Sequence, residues 1–206
     1  MGTTPTYSWP YPESTDPVAN GAQDIEDLAL AVETTVSGIT GGKILQIVST
    51  TKTDIFSASV TQGSSSAVTG LSASITPSSA SSTVLVMAQL NAASHSSTAD
   101  APVAVLTRGG TPISIGDAAG SRSQGTSGSG FTSGVTAVDQ FESPWSIGIL
   151  FVDSPATTSS TTYAIELGHT NLGTRTVYLN TGANSTLDRS DMWRTTSTIT
   201  VMEIAP

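Results

Sequence analysis

Thr162–Gly168 reads TYAIELG: Tyr163, Ile165 and Leu167 fall on one side of an extended chain, Ala164 and Glu166 on the other. That period of two is the mark of a strand with one buried face, and Val177 and Leu179 repeat it. Val84-Leu85-Val86-Met87 and Ile147–Val152 are instead nearly continuous apolar runs, as expected of strands covered on both faces. A sandwich leaves one face of each sheet in water, so these runs imply a further partner surface. Working outward, strands are expected at Lys43–Ser49, Thr53–Val60, Val68–Ile75, Thr83–Asn91, Pro102–Arg108, Pro112–Gly116, Gly134–Phe141, Trp145–Asp153, Thr162–Gly168, Thr174–Asn180 and Thr198–Ile204. Gly109-Gly110, Gly116-Asp117 and Asp153-Ser154-Pro155 mark turns between them. The reading is an all-β, jelly-roll-like β-sandwich over residues 41–206. Ala118–Gly134 is low in complexity and is expected to be a long exposed loop or flap, a candidate host-facing surface.

One helical period precedes the strands. In Tyr11–Thr40, Ala22, Ile25, Leu28, Ala29, Val32 and Val36 share a stripe flanked by acids. Asn20 is the expected N-cap, Gln23 completes a capping-box spacing, and Gly38 is the expected left-handed terminator. A helix this short is marginal alone and must bury its stripe, either on its own sandwich or on copies of itself. Residues 21–40 are therefore read as a trimerisation helix, with Ile25, Leu28, Val32 and Val36 at the threefold contact. Residues 1–20 carry Tyr7, Trp9 and Tyr11 among Pro5, Pro10, Pro12 and Pro17. Prolines at that density favour an extended attachment arm, poorly ordered in the free protein, whose aromatics dock in grooves elsewhere.

Charge and composition narrow the function. The net charge is −9, and residues 1–42 hold six acids with no Lys or Arg. With two lysines in the whole chain, no nucleic-acid partner is expected. No stretch is long and apolar enough to insert in a membrane and no signal peptide is read, so the chain is expected to be soluble and made in a cytoplasm. The absence of cysteine excludes disulfides and thiolate metal sites. Ser and Thr make up roughly a third of the chain, well above ordinary usage.

No catalytic constellation stands out. His95 and His169 lack metal-ligand spacing and are expected on the surface. Asp139, Glu142, Asp153 and Glu166 are the carboxylates from which a glycosidase pair would be drawn. No GxSxG elbow or phosphate loop is present. The expectation is a protein that is not an enzyme, with no cofactor, no metal and no catalytic residue.

Tyr11–Glu33, YPESTDPVANGAQDIEDLALAVE, resembles the N-terminal segment of many bacteriophage tail-fibre and minor-tail proteins. Asp153–Leu167, DSPATTSSTTYAIEL, is similar to their sandwich domains, and Arg194–Ile204, RTTSTITVMEI, to their terminal strand. The resemblance implies a homotrimeric virion protein, held to other virion proteins through Tyr7, Trp9 and Tyr11. Its β head would serve host attachment, with surface polysaccharide as a possible partner. A capsid-bound head fibre or decoration protein is the alternative, and a polysaccharide-degrading spike a further one.

Overall fold

The computed structural model describes residues 2–38, 42–95, 100–129, 144–170, 172–183 and 193–206. The chain divides into two compact units, one of Met1–Lys43 with Ala205–Pro206, the other of Ile44–Ile204.

The first unit pairs β1 (Gly2–Thr3) with β2 (Pro10–Tyr11) and adds a 3-10 turn at Val18–Asn20 and helix α1 (Gly21–Ser37). The arm is thus a closed hairpin rather than an extended tail. Ser8, at φ +55°, turns the chain, and Thr4 N–H donates to Trp9 O at 2.9 Å. Both expected helix caps are corrected. Asn20 is already helical in backbone and its side chain caps nothing, because the 3-10 turn feeds directly into α1. Gly38 stays right-handed (φ −76°) and donates to Thr34 O at 3.1 Å.

The second unit contains β3 (Ile44–Lys52), β4 (Phe56–Thr61), β5 (Ser65–Ile75), β6 (Thr83–His95), β7 (Pro102–Arg108), β8 (Thr111–Ile113), β9 (Ser127–Gly128), β10 (Trp145–Asp153), β11 (Thr161–His169), β12 (Thr174–Leu179) and β13 (Ser197–Ile204). The expected strand Gly134–Phe141 lies outside the described residues. One sheet runs β3-β13-β6-β10; β12, itself paired with β4, follows β13 along the same edge of β6, since Ala92 pairs Leu179 on that edge and Trp145 of β10 on the other. The other runs β5-β11-β7-β8, with β9 also on β7. Counting β3, β5, β6, β7, β8, β10, β11 and β13 as first to eighth, the two orders are 1-8-3-6 and 2-7-4-5. That is the jelly roll, in which every pairing here is antiparallel.

Alternation builds the core. Val84, Val86, Ala88, Leu90 and Ala92 of β6 face Leu71, Ala73 and Ile75 of β5 and Tyr163, Ile165 and Leu167 of β11 across a dry interior. Three ionic side chains also take inward positions: Lys52, Asp153 and Glu203 are all buried. Asp153 accepts two bonds from Arg108 Nη1 (2.9 and 2.8 Å) and one from the Tyr163 hydroxyl (2.6 Å). Burial, with the donated bond to Asp153, pushes the Tyr163 phenol well above its ordinary value. Glu203 accepts from the Ser78 N–H (2.7 Å), the Ser78 hydroxyl (2.6 Å) and the Gln46 amide. Burial alone would raise its carboxyl, but these donors outweigh burial and hold it at about 2.

Candidate functional sites

Two surfaces of different chemistry emerge, one in each unit. In the first unit the arm covers one face of α1. Tyr7 and Trp9 stack with ring centroids 5.1 Å apart, and Trp9 Nε1 donates to Thr35 Oγ1 at 2.9 Å. Thr35 in turn donates to Ala31 O, so the indole is anchored to a hydroxyl already fixed by the helix. Asp24, Leu28, Ala31 and Thr35 share that face by their spacing, and Asp24 is the one buried residue of α1. Leu28 and Val32 are half-buried, whereas Ile25 is 65% and Val36 59% exposed.

A second set of α1 residues, mostly exposed, has a regular order. Ala22, Ile25, Ala29, Val32 and Val36 are spaced 3, 4, 3 and 4, the a/d rhythm of a coiled-coil seam. Sequence reasoning grouped Leu28 with this stripe, but it leans toward the face that the arm takes. Of the aromatics assigned to anchoring, Tyr7 and Tyr11 remain exposed while Trp9 is half-buried against α1.

In the second unit a polar cavity of about 430 Å³ opens between the β4–β5 turn, the loop at Ser121–Gln124 and the end of β11. Gly63, at φ +78°, makes the turn possible, and Ser64 N–H closes it on Thr61 O at 3.0 Å. The loop is no free flap through residue 129. Thr126 N–H donates to Ala104 O (2.9 Å), and Thr126 Oγ1 accepts from Leu106 N–H (2.8 Å). Gly125 is required there, since a Cβ would meet Val103 Cγ1. Residues 130–134 of the expected loop lie outside the described residues.

Hydroxyls and amides line the cavity together with Val103 and Val105, and Arg122 is the one Lys or Arg among the described lining residues. His169 borders it and is buried, which corrects the surface assignment. Its Nε2 lies 2.9 Å from Val60 O, a group that can only accept, so Nε2 carries the proton. Nδ1 then lies 3.8 Å from Asp100 Oδ1, beyond hydrogen-bond reach, and that oxygen accepts from Ala101 N–H (2.9 Å). His95 is reached by β6 rather than by a loop, and its side chain lies outside the described set.

The carboxylates considered for a glycosidase pair are not gathered by this cavity. Asp153 is held by Arg108 and Tyr163, and Glu166 accepts from Ser65 Oγ at 2.6 Å. Asp139 and Glu142 lie outside the described residues. Among the described residues no cluster of three or more His, Asp or Glu gathers to hold a metal ion. No helix among them is long and apolar enough to cross a membrane.

No protein-family model matches the chain, and no curated protein matches it. Among solved structures it is similar to a chain of the infectious bursal disease virus Gx strain structure, at 12% identity and a TM-score of 0.38. The likeness covers 80% of this chain and 41% of that one, so this chain spans less than half of its neighbour's length. A likeness at that score carries no weight for function.

Proposed function

We propose that the chain is a structural protein of a tailed-bacteriophage particle: a short homotrimeric fibre, anchored by its N-terminal unit and displaying its jelly roll to the host surface. The observation that carries the reading is α1. Four of its five a/d positions, Ala22, Ile25, Ala29 and Val36, are exposed and Val32 is half-buried, while the arm lies against the face of Ala31 and Thr35. A helix of 17 residues with an uncovered seam is stable when copies pack on one another. The e positions of that seam are Glu26 and Glu33 and the g positions Leu28 and Thr35. Neighbouring copies in parallel register then set acid against uncharged residues rather than acid against acid.

Tyr7 and Tyr11 supply the anchor to other virion proteins, because exposed rings offer large contact area at small entropic cost. Trp9 organises the hairpin that presents them. The polar cavity, with its hydroxyls, amides and Arg122, is the part of the head suited to a host polysaccharide. Sedimentation of the full chain tests assembly, with a trimer expected and a clean monomer at micromolar concentration overturning it. Particles bearing Tyr7→Ala with Tyr11→Ala should carry fewer copies, and a normal complement would remove the anchor.

A further inference from the structure

The chain carries a second unpartnered surface, and its chemistry differs from that of an ordinary sheet face. Val152, Leu85, Met202 and Ile47 are register partners in succession across β10, β6, β13 and β3, so they form one apolar row over four strands. Leu150 and Met87 begin the next row, which continues through Thr200 and Ser49. Leu150 is 72% exposed, and Val152, Met87 and Ile47 are also exposed. A groove of about 410 Å³ runs beside Met87 and Leu150, floored by Gly148, where a Cβ would meet nothing within 4 Å.

Charge is distributed against the usual rule. An antiparallel sheet with one wet face places apolar residues inward and polar residues outward. On these four strands the three ionic residues, Lys52, Asp153 and Glu203, all point inward. From Leu85 to Asn91 on β6, and along the outward positions of β3, β10 and β13, there is no charged side chain among the described residues. The acidic and basic partners of the buried groups come from Asp54 and Arg108, outside those outward positions.

We propose that this outer face of the β3-β13-β6-β10 sheet is buried against further copies of the same chain. The proposal rests on the homotrimeric reading above and gives it a second, independent contact. A chain of net charge −9 repels its copies, and they approach at least electrostatic cost through a surface that carries no charge. A foreign partner selected by charge would find nothing here to recognise. Four strands spaced ~4.8 Å apart and three side-chain rows, the third through Gly148, Gln89, Thr198 and Thr51, give a band of roughly 400 Å², comparable to the largest patch on an ordinary monomer and about half of what each partner gives a standard interface. Three sheet faces turned to one axis close into a ring with no free copy of the patch.

The full chain, which has no cysteine, allows a direct test. Leu150→Cys should form disulfide-linked copies under mild oxidation, and Ser72→Cys, on the outward face of the opposite sheet, should not. Leu150→Lys should weaken association by about tenfold to a hundredfold in sedimentation equilibrium, the fold-change of losing one buried leucine. Its melting when dissociated should match that of the dissociated parent, which shows the fold intact. Equal cross-linking at positions 72 and 150, or unchanged association of Leu150→Lys, overturns the proposal. Ile25→Asp with Val36→Asp separates the two readings. If that pair abolishes association while Leu150→Lys does nothing, the helix contact stands alone and the sheet contact is wrong. If Leu150→Lys dissociates the copies and the helix pair does not, the sheet contact stands and the helical one falls.

Discussion

On the sheet built around β5 and β11, the outward side chains include Ser72, Ser74, Thr162 and Glu166, and Ser74 meets Thr162 at 2.7 Å across the strands. On the sheet built around β6 and β13 they include Leu85, Met87, Leu150 and Met202. Both sheets share one dry interior, so core packing does not cause the contrast. The first face is finished: Ser74 and Thr162 bond to each other, and Glu166 accepts from Ser65. The second leaves apolar surface open and turns its charges inward, where each must find donors or a counter-ion. Buried ionic groups stabilise little by themselves but cost much when half a pair is removed. The difference therefore separates residues that hold the fold from the exposed residues that the proposed contact would cover.

The strongest way to break the contrast is from its buried side. Asp153→Ala leaves the Arg108 guanidinium uncompensated and the buried Tyr163 hydroxyl without its acceptor. A loss of about 3 kcal/mol is expected, since Arg108 is only partly buried and its charge is partly screened. At roughly 3 °C per kcal/mol for a chain of this size, melting should fall by about 9 °C. A shift within 2 °C would mean that the inward charges are not held by this network.

Glu203 gives a smaller effect with a pH signature. Its carboxyl is lowered from an ordinary 4.5 to about 2, so the folded state binds the proton less readily than the unfolded chain. The stabilisation is complete above about 4.5 and is lost as pH falls through that value toward about 2. Glu203→Gln should cost about 2 kcal/mol at pH 7 through weakened charge-assisted bonds. It should also flatten the loss of melting temperature between pH 5 and pH 2. An unchanged slope would place the acid sensitivity in other carboxylates.

Much of this was legible in the sequence, and the failures have a common cause. TYAIELG specified β11 and its faces because alternation is local, and the helix followed from a local period as well. The inward charges were legible too, though unread. Ile199, Val201 and Glu203 alternate on one face of β13, and Ile147, Ile149, Phe151 and Asp153 on one face of β10. The same alternation turns Leu150 and Val152 outward, where both are exposed among the described residues, as is Met87 on β6, so neither run is a strand covered on both faces, contrary to the expectation. What the sequence could not show depends on distant neighbours. His169 is buried because Val60 of β4 and Asp100, two residues before β7, meet it from distant parts of the chain. Arg122 lines a cavity because Thr126 fixes its loop to β7. Asn20 lost its capping role to a 3-10 turn that propensity alone does not register.

The smallest expected effect is the sharpest test of the contrast. Leu150→Thr exchanges a large apolar side chain for a small polar one with good strand propensity. Leu150 lies directly opposite Met87 in the register, and Gly148, two residues away on the same face, leaves open space beside it. Within one dissociated chain the substitution removes little buried area, and the expected change in stability is within about 0.5 kcal/mol. The matching change on the interior face, Ile149→Thr, should cost about 2–4 kcal/mol, because Ile149 is buried in the core. Neighbours on one strand would then differ several-fold in cost although both are β-sheet aliphatics. Urea unfolding of dissociated protein measures both. If Leu150→Thr costs as much as Ile149→Thr, Leu150 is already packed within its own chain, and its outward face needs no second copy to cover it.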